Sequence, residues 1–302
     1  MTYQEWLREW LNIFVKPVVK NRTFEHYEMI VQQKIVPRLG EYVMEDLDPN
    51  MVQKYVAELL AVYAVNTVNG IISIIKSSLK KAFKIGVTKK EISDYIAQPK
   101  VREKEISCFS VAEQKKIEKA VLTSKKDRMF GIILCLYTGL RIGELFALEW
   151  SNVDLHKGIL LVEKTCRDKW VDGHYQKTLD TPKTATSRRK VPIPKQLLPY
   201  LRRMKRNSKG CYVISGKNGK DIAIRSYQKS FERLLIREDI HHKGFHALRH
   251  TFATRALECG MDIKTLSEIL GQKNAAVTLN RYAHSLLEHK QEMMNKLGKM
   301  LV

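Results

Sequence analysis

Between Ile96 and Phe109 the chain loses the helical spacing of apolar residues that runs through everything before it. This stretch holds Pro99 and a dense run of charge in Lys100, Arg102, Glu103, Lys104 and Glu105. It ends at Ser110-Val-Ala-Glu113, whose spacing is that of a capping box opening a new helix. Such a break constrains the fold, because the segments on either side must each bury a core of their own. With 302 residues the chain is long enough for two domains and too long for one ordinary core. We expect a helical domain over 1–97, a linker over 98–109 and a second domain over 110–302.

The first of these reads as four helices. Trp6, Trp10 and Phe14 recur every four residues and lay one aromatic stripe along an amphipathic helix, a packing face. A second helix is expected from Thr23 to about Val36, stopped by Pro37. Asp48 followed by Pro49 is an N-cap with proline at the first helical position, opening a third helix toward Tyr63. In the fourth, Val68, Ile71, Ile72, Ile75, Leu79 and Phe83 mark one face, and Lys76, Lys80, Lys81 and Lys84 the other.

The second domain opens with helices near 110–122 and 127–138, the latter closed by Gly139, then a short helix from Arg141 to about Leu148. Here the period changes. Gly158–Glu163 has the length and branched apolar content of a strand, and two more are expected at Lys169–Gln176, turning at Asp172-Gly173, and at Arg189–Ile193. Pro192 suits an edge strand. Helices follow over Pro194–Lys205, Ser226–Arg237, His246–Glu258 and Ile263–Leu270, with two short ones to the C-terminus. The fold class is therefore mainly α with a small antiparallel β-sheet, an α+β chain.

Charge narrows the partners. Lys and Arg number 53 against 32 Asp and Glu, a formal +21 spread along the whole chain. Self-repulsion on that scale is relieved by a polyanion, most simply a nucleic-acid backbone; a merely basic protein or one that binds acidic lipid is the alternative. The five cysteines are scattered and never form a CxxC pair, which argues against a disulfide framework and a zinc ribbon. No signal-peptide core stands at the N-terminus, and no apolar run approaches the roughly 18 residues that span a bilayer. The reading is a cytoplasmic protein without a membrane partner.

Cleaving a phosphodiester without a metal requires cations on the non-bridging oxygens, an acceptor for the nucleophile's proton and a donor for the leaving oxygen. Arginine suits the first task, because its guanidinium fork pairs with phosphate and stays charged. In Thr138-Gly-Leu-Arg141-Ile-Gly-Glu144-Leu an arginine follows a helix-ending glycine and opens the next helix, where backbone dipoles favour an anion. Alone, such an arginine is better explained by a salt bridge to Glu144. In His246-Ala-Leu-Arg249-His250 the i, i+3 spacing sets His246 beside Arg249, with Phe245, Leu248, Phe252 and Ala256 facing inward. That helix also fits a groove-reading or solvated face. The histidine cluster has no Asp, Glu or Cys at ligand spacing, so no metal is expected. Leu270-Gly271-Gln272 precedes Tyr282, a residue that by itself would be structural.

The four segments TGLRIGEL, TPKTATSRRKVPIP, HALRHTFATRAL and LGQKNAAVTLNRYAH, in that order, resemble the tyrosine recombinase (phage integrase) family. The likeness spans essentially the whole chain. It implies an N-terminal four-helix SAM-like core-binding domain and a mixed helical catalytic domain. Position by position, it implies that Arg141 and Arg249 grip the scissile phosphate and that His246 contacts it and helps proton transfer. Lys183 would protonate the 5′-hydroxyl leaving group, and Tyr282 would be the nucleophile that forms a 3′-phosphotyrosyl link. Lys177 and Lys190 lie near Lys183 in sequence. The position after Leu-Gly usually holds His or Trp; Gln272 donates a hydrogen bond there but cannot shuttle a proton.

The resemblance further implies double-stranded DNA as partner and neither metal nor ATP as cofactor. It implies a homotetramer on paired recombination sites that is a monomer in free solution, and an accessory bending or excision factor. Integration or excision of a phage or mobile element, in a bacterial cytoplasm and on the nucleoid, is the expected role. A C-shaped grip on the duplex would draw on Lys76, Lys80, Lys81, Lys84, Arg202, Arg203, Lys205 and Arg206. The extra arm-binding domain of larger integrases is not expected before a helical domain that opens near Met1. Two other readings stay open, a catalytically silent regulator derived from a recombinase and a relaxing topoisomerase.

Overall fold

The computed structural model describes residues 1–101, 107–124, 126–171, 173–180, 188–272, 294–295 and 297–299. The chain divides into two compact units, Met1–Lys104 and Glu105–Val302. No described helix is long and apolar enough to cross a membrane.

The first unit is built from α1 (Tyr3–Trp10), α2 (Asn21–Ile30), α3 (Val36–Leu39), α4 (Pro49–Val62) and α5 (Val65–Lys84). The four-residue spacing of the aromatic stripe has a physical cause. A π-helical turn over Leu11–Val15 continues α1, and its wider winding keeps Phe14 over Trp6, with ring centroids 6.1 Å apart. Ser78 pins the stripe to α5, sharing a hydrogen bond with the Tyr3 hydroxyl (2.7 Å) and accepting one from the Trp6 indole at its carbonyl (3.0 Å). Asp48 caps α4, accepting from the amides of Asn50 and Met51 at 2.7 and 3.1 Å.

Two expectations fail here. Pro37 does not stop the second helix, because a second π-turn, Val31–Ile35, intervenes and Pro37 falls in the first turn of α3. An amide donor is not required there, so the helical path runs on to Leu39. Phe83 is exposed, whereas Ile74 takes a core position beside Ile71 and Ile75.

The second unit opens with α6 (Val111–Leu122), whose Ser110–Glu113 capping box is formed in both directions. Next comes α7 (Phe130–Thr138), the central helix, buried from Phe130 through Leu136 and therefore apolar on every side. Gly139 closes it at φ 65°, and α8 (Ile142–Ala147) follows. Strands β1 (Val153–Asp154), β2 (Ile159–Val162) and β5 (Arg189–Pro192) form an antiparallel sheet ordered β1-β2-β5, with Leu160 opposite Val191. Pro192 thus sits on a strand that is an edge among the described residues. The stretch at Lys169–Gln176, expected to turn at Asp172-Gly173, is the tip of a longer hairpin, β3 (Thr165–Val171) against β4 (His174–Asp180), turning through Gly173 at φ 77°.

Gly143 sets where that hairpin lies. A Cβ there would stand 2.5 Å from the Thr165 hydroxyl oxygen and 2.7 Å from the Cys166 carbonyl oxygen, so β3 rests directly on α8. Helices α9 (Leu198–Asn207), α10 (Ile224–Arg237), α11 (His246–Glu258) and α12 (Ile263–Leu270) follow among the described residues. Tyr227 and Phe231 of α10 and Leu248 of α11 fill the core around α7, while Leu266 and Leu270 of α12 pack on Ala253 and Leu257 of α11.

Candidate active site

The site forms where two chain turns meet, the one joining α7 to α8 and the one that ends α12. Gly139 and Gly271 both take left-handed conformations, at φ 65° and 62°, which glycine adopts without the Cβ penalty. At Gly271 the amide of Gln272 bonds the Ser267 carbonyl and that of Gly271 the Glu268 carbonyl, a Schellman ending. A side chain at Gly139 would collide with Phe252 and Leu270, at 2.6 and 2.8 Å from its Cβ, so the two turns and α11 are packed together.

Arg141 precedes α8 in an extended conformation, and its side chain is 39% exposed. Its amide donates to Glu144 Oε2 (2.9 Å) and its Nη1 to Glu144 Oε1 (2.7 Å). Arg249, one turn into α11, is 3% exposed. Its Nη1 donates to the Gly139 carbonyl and its Nη2 to the Leu270 carbonyl, both at 2.7 Å. Arg141 Nη1 also reaches the Leu270 carbonyl, at a long 3.4 Å. Two arginines 108 positions apart therefore converge on one main-chain oxygen. His246 opens α11 and is exposed; its ring lies edge-on to His250, with centroids 4.6 Å apart. Gln272 follows the α12 turn and is half-buried.

A third arginine, not singled out by the sequence, completes the cluster. Arg189 faces inward on β5 and forks both oxygens of Glu144, Nη1 to Oε1 at 3.0 Å and Nη2 to Oε2 at 2.9 Å. Burial pushes the Glu144 carboxyl up, but the Arg189 hydrogen bonds and the charges of Arg189 and Arg141 outweigh it, and the group titrates at about 2. Among the described residues, three arginines meet one carboxylate, an excess of two positive charges, with Arg141 as the group most open to solvent. Such a cluster stabilises an anion at the surface, above all one whose charge grows during reaction. The signal for Arg189 was parity: in a strand, positions two apart share a face, and Val191 and Ile193 are core residues.

The two lysines near residue 183 are placed differently. Lys177 pairs with Asp221 at 3.2 Å and lies over the Tyr212 ring, and Lys190 points to the solvent face of β5. Lys183 and Tyr282 lie outside the described residues. Of the proposed DNA contacts, Lys76 donates to the Ile96 carbonyl at 3.1 Å and Lys80 stands 3.5 Å from Asp94, while Lys84 is exposed. Lys81 caps the Phe14 ring at 4.2 Å. Arg202 reaches the Leu155 carbonyl at 3.2 Å, and Arg203 approaches Asp127 at 3.7 Å. A cleft of about 500 Å³ lies elsewhere, between Lys126–Arg128 and the Lys217–Gly219 turn.

Residues 108–289 match the model of the phage integrase family, and residues 2–60 match that of the phage integrase N-terminal SAM-like domain. A tyrosine recombinase XerC-like protein of Caldanaerobacter subterraneus subsp. tengcongensis is 34% identical over 221 residues. That match covers 66% of this chain and 56% of the relative's length, so the chain spans little more than half of that protein. Among solved structures, the Tn1549 transposon integrase in complex with transposon right end DNA superposes with a TM-score of 0.82 at 22% identity, covering 99% of this chain and all of that one. A lambda integrase tetramer bound to a Holliday junction gives 0.73 at 20%, covering 91% and 78% of the two chains. With its two family segments in order and this fold, the chain belongs to the phage integrase family, the tyrosine recombinases.

Proposed function

We propose that this chain is a site-specific DNA recombinase that integrates or excises a mobile element through a covalent protein–DNA intermediate. The observation that carries the reading is the meeting of Arg141 and Arg249 at the Leu270 carbonyl, twelve positions before Tyr282. A phosphate arriving there takes the guanidinium donors that the carbonyl now holds. In this reading Arg141 and Arg249 neutralise the non-bridging oxygens and Gln272 adds a neutral donor. The Tyr282 oxygen attacks phosphorus, its proton passing toward His246. The bond from phosphorus to the 5′-oxygen breaks, and Lys183 protonates that oxygen. Religation runs the same steps backwards, with a free 5′-hydroxyl attacking the phosphotyrosine, so the bond energy is conserved and no nucleotide is consumed.

Double-stranded DNA is the partner, with basic side chains of both units on its phosphates and a tetramer assembled on paired sites in the bacterial cytoplasm. A bending or excision factor assists. The test is a duplex nicked beside the cleavage point, so that the released strand diffuses away and the adduct accumulates. The expected product survives denaturation, forms in EDTA and is absent with Tyr282→Phe, which still binds DNA. Binding without adduct would instead identify a silent regulator, and relaxed circles without recombinants a topoisomerase.

A further inference from the structure

The buried pair of Arg189 and Glu144 does something that its stability contribution does not explain. Both side chains are 6% exposed, and removing two charges from water offsets most of what their attraction returns; an apolar pair of similar volume would hold the fold as well. What the pair supplies is direction. Each Glu144 oxygen accepts twice: Oε1 from Arg189 Nη1 and Arg141 Nη1, Oε2 from Arg189 Nη2 and the Arg141 amide. A carboxylate held at four points, by the Arg189 fork and by the Nη1 and amide of Arg141, has little rotamer freedom left. Its partner Arg141, the exposed member of the cluster, is thereby aimed.

The same guanidinium fixes the other half of the cluster. Arg189 Nε donates to the Ile269 carbonyl at 2.5 Å. Its Nη1, Cδ and Cζ occupy the space beside Gly271, at 2.9, 3.0 and 3.2 Å from where a Cβ would stand. Arg189 thus sets the end of α12, whose Leu270 carbonyl meets Arg249 and Arg141. One side chain on β5 ties together α8, α12 and the strand that follows residue 183.

We infer that Arg189 is a positioning residue for strand cleavage, acting through Glu144 to hold the Arg141 guanidinium where the scissile phosphate binds. This rests on the proposed role of Arg141. Lysine is not a substitute: its single ammonium cannot span both Glu144 oxygens and reach the Ile269 carbonyl.

The experiment is a mutant cycle of Arg189→Lys and Arg141→Ala, measuring the single-turnover rate of covalent adduct on the nicked duplex together with DNA affinity and melting temperature. Arg189→Lys keeps the charge, and the melting temperature reads whether it keeps the fold. It is expected to slow adduct formation about 100-fold, the effect of a misplacement on the order of 1 Å, with affinity changed less than about threefold. In the Arg141→Ala background the same substitution is expected to slow the rate far less, because the share carried through Arg141 is gone and only the contact with the end of α12 remains. Equal slowing in both backgrounds overturns the inference, as does an unaffected rate in Arg189→Lys. If Arg189→Lys melts early, the neutral double variant Glu144→Gln/Arg189→Met replaces it, and folded protein with a wild-type rate overturns the inference. Should Arg141→Ala leave the rate unchanged, the assignment of the site itself fails, an outcome separate from those above.

Discussion

Replacing Glu144 with glutamine is expected to flatten the acid limb of the second unit's stability. In the folded chain the Glu144 carboxyl titrates at about 2 against an ordinary value of 4.5, with burial opposing the shift and the Arg189 hydrogen bonds and the two arginine charges producing it. Its folded value is depressed, so its contribution is fully present above 4.5 and is lost as pH falls from there through about 2. A difference of about 2.5 pH units corresponds to about 3 kcal/mol, of which about 2 kcal/mol disappears between roughly pH 6 and pH 3. Glutamine does not titrate, so the variant lacks this component of the slope. It is also less stable at neutral pH by about 3–5 kcal/mol, because Arg189 is left buried without its counter-charge. Urea unfolding of the full chain, fitted for two transitions because the two units need not melt together, measures both quantities. Stability curves for wild type and variant that run parallel from pH 6 to pH 3, within about 0.5 kcal/mol, would refute the reasoning, since a carboxyl so held cannot be silent.

Two further tests use other features. Gly271→Ala meets a φ of 62° and a Cβ only 2.9 Å from Arg189 Nη1, whereas Gly86→Ala at φ 79° meets open space. Both should lose about 1–3 kcal/mol to backbone strain, but only Gly271→Ala should also slow adduct formation; equal rates would dissociate the α12 turn from the chemistry. For DNA affinity measured against salt, Lys84→Ala is expected to lower the slope of log K against log salt by about 1. Lys76→Ala should leave it nearly unchanged, because the Lys76 ammonium already serves the Ile96 carbonyl.

Most of the fold could be read from apolar spacing and caps. Asp48-Pro49, Ser110-Val-Ala-Glu113, Gly139 and the span of α12 stand where the residues indicated. The failures have specific causes. The hairpin strands β3 and β4 carry mostly polar and charged residues, such as Arg167, Asp168, Lys169, Gln176 and Lys177, so no apolar alternation announced them beyond the turn. Pro37 misled because a π-turn before it restarts the helix, a tertiary arrangement that has no local signature. In the site, motif order found Arg141 and Arg249, but Arg189 lay hidden among Arg188 and Lys190. A charge at an inward strand position becomes intelligible only when its counter-charge, 45 residues earlier, is brought beside it.

The oxygen on which Arg249 and Arg141 meet belongs to the backbone of Leu270, and this decides which genetic changes the arrangement tolerates. Any residue that fills the same apolar niche at 270 presents the same carbonyl, so point substitutions leave the resting partner of the two cations intact. Insertion or deletion of a single residue in α12 is another matter, because it swings the terminal carbonyl about 100° around the helix axis. Drift within this helix should therefore be permissive in letter and strict in length.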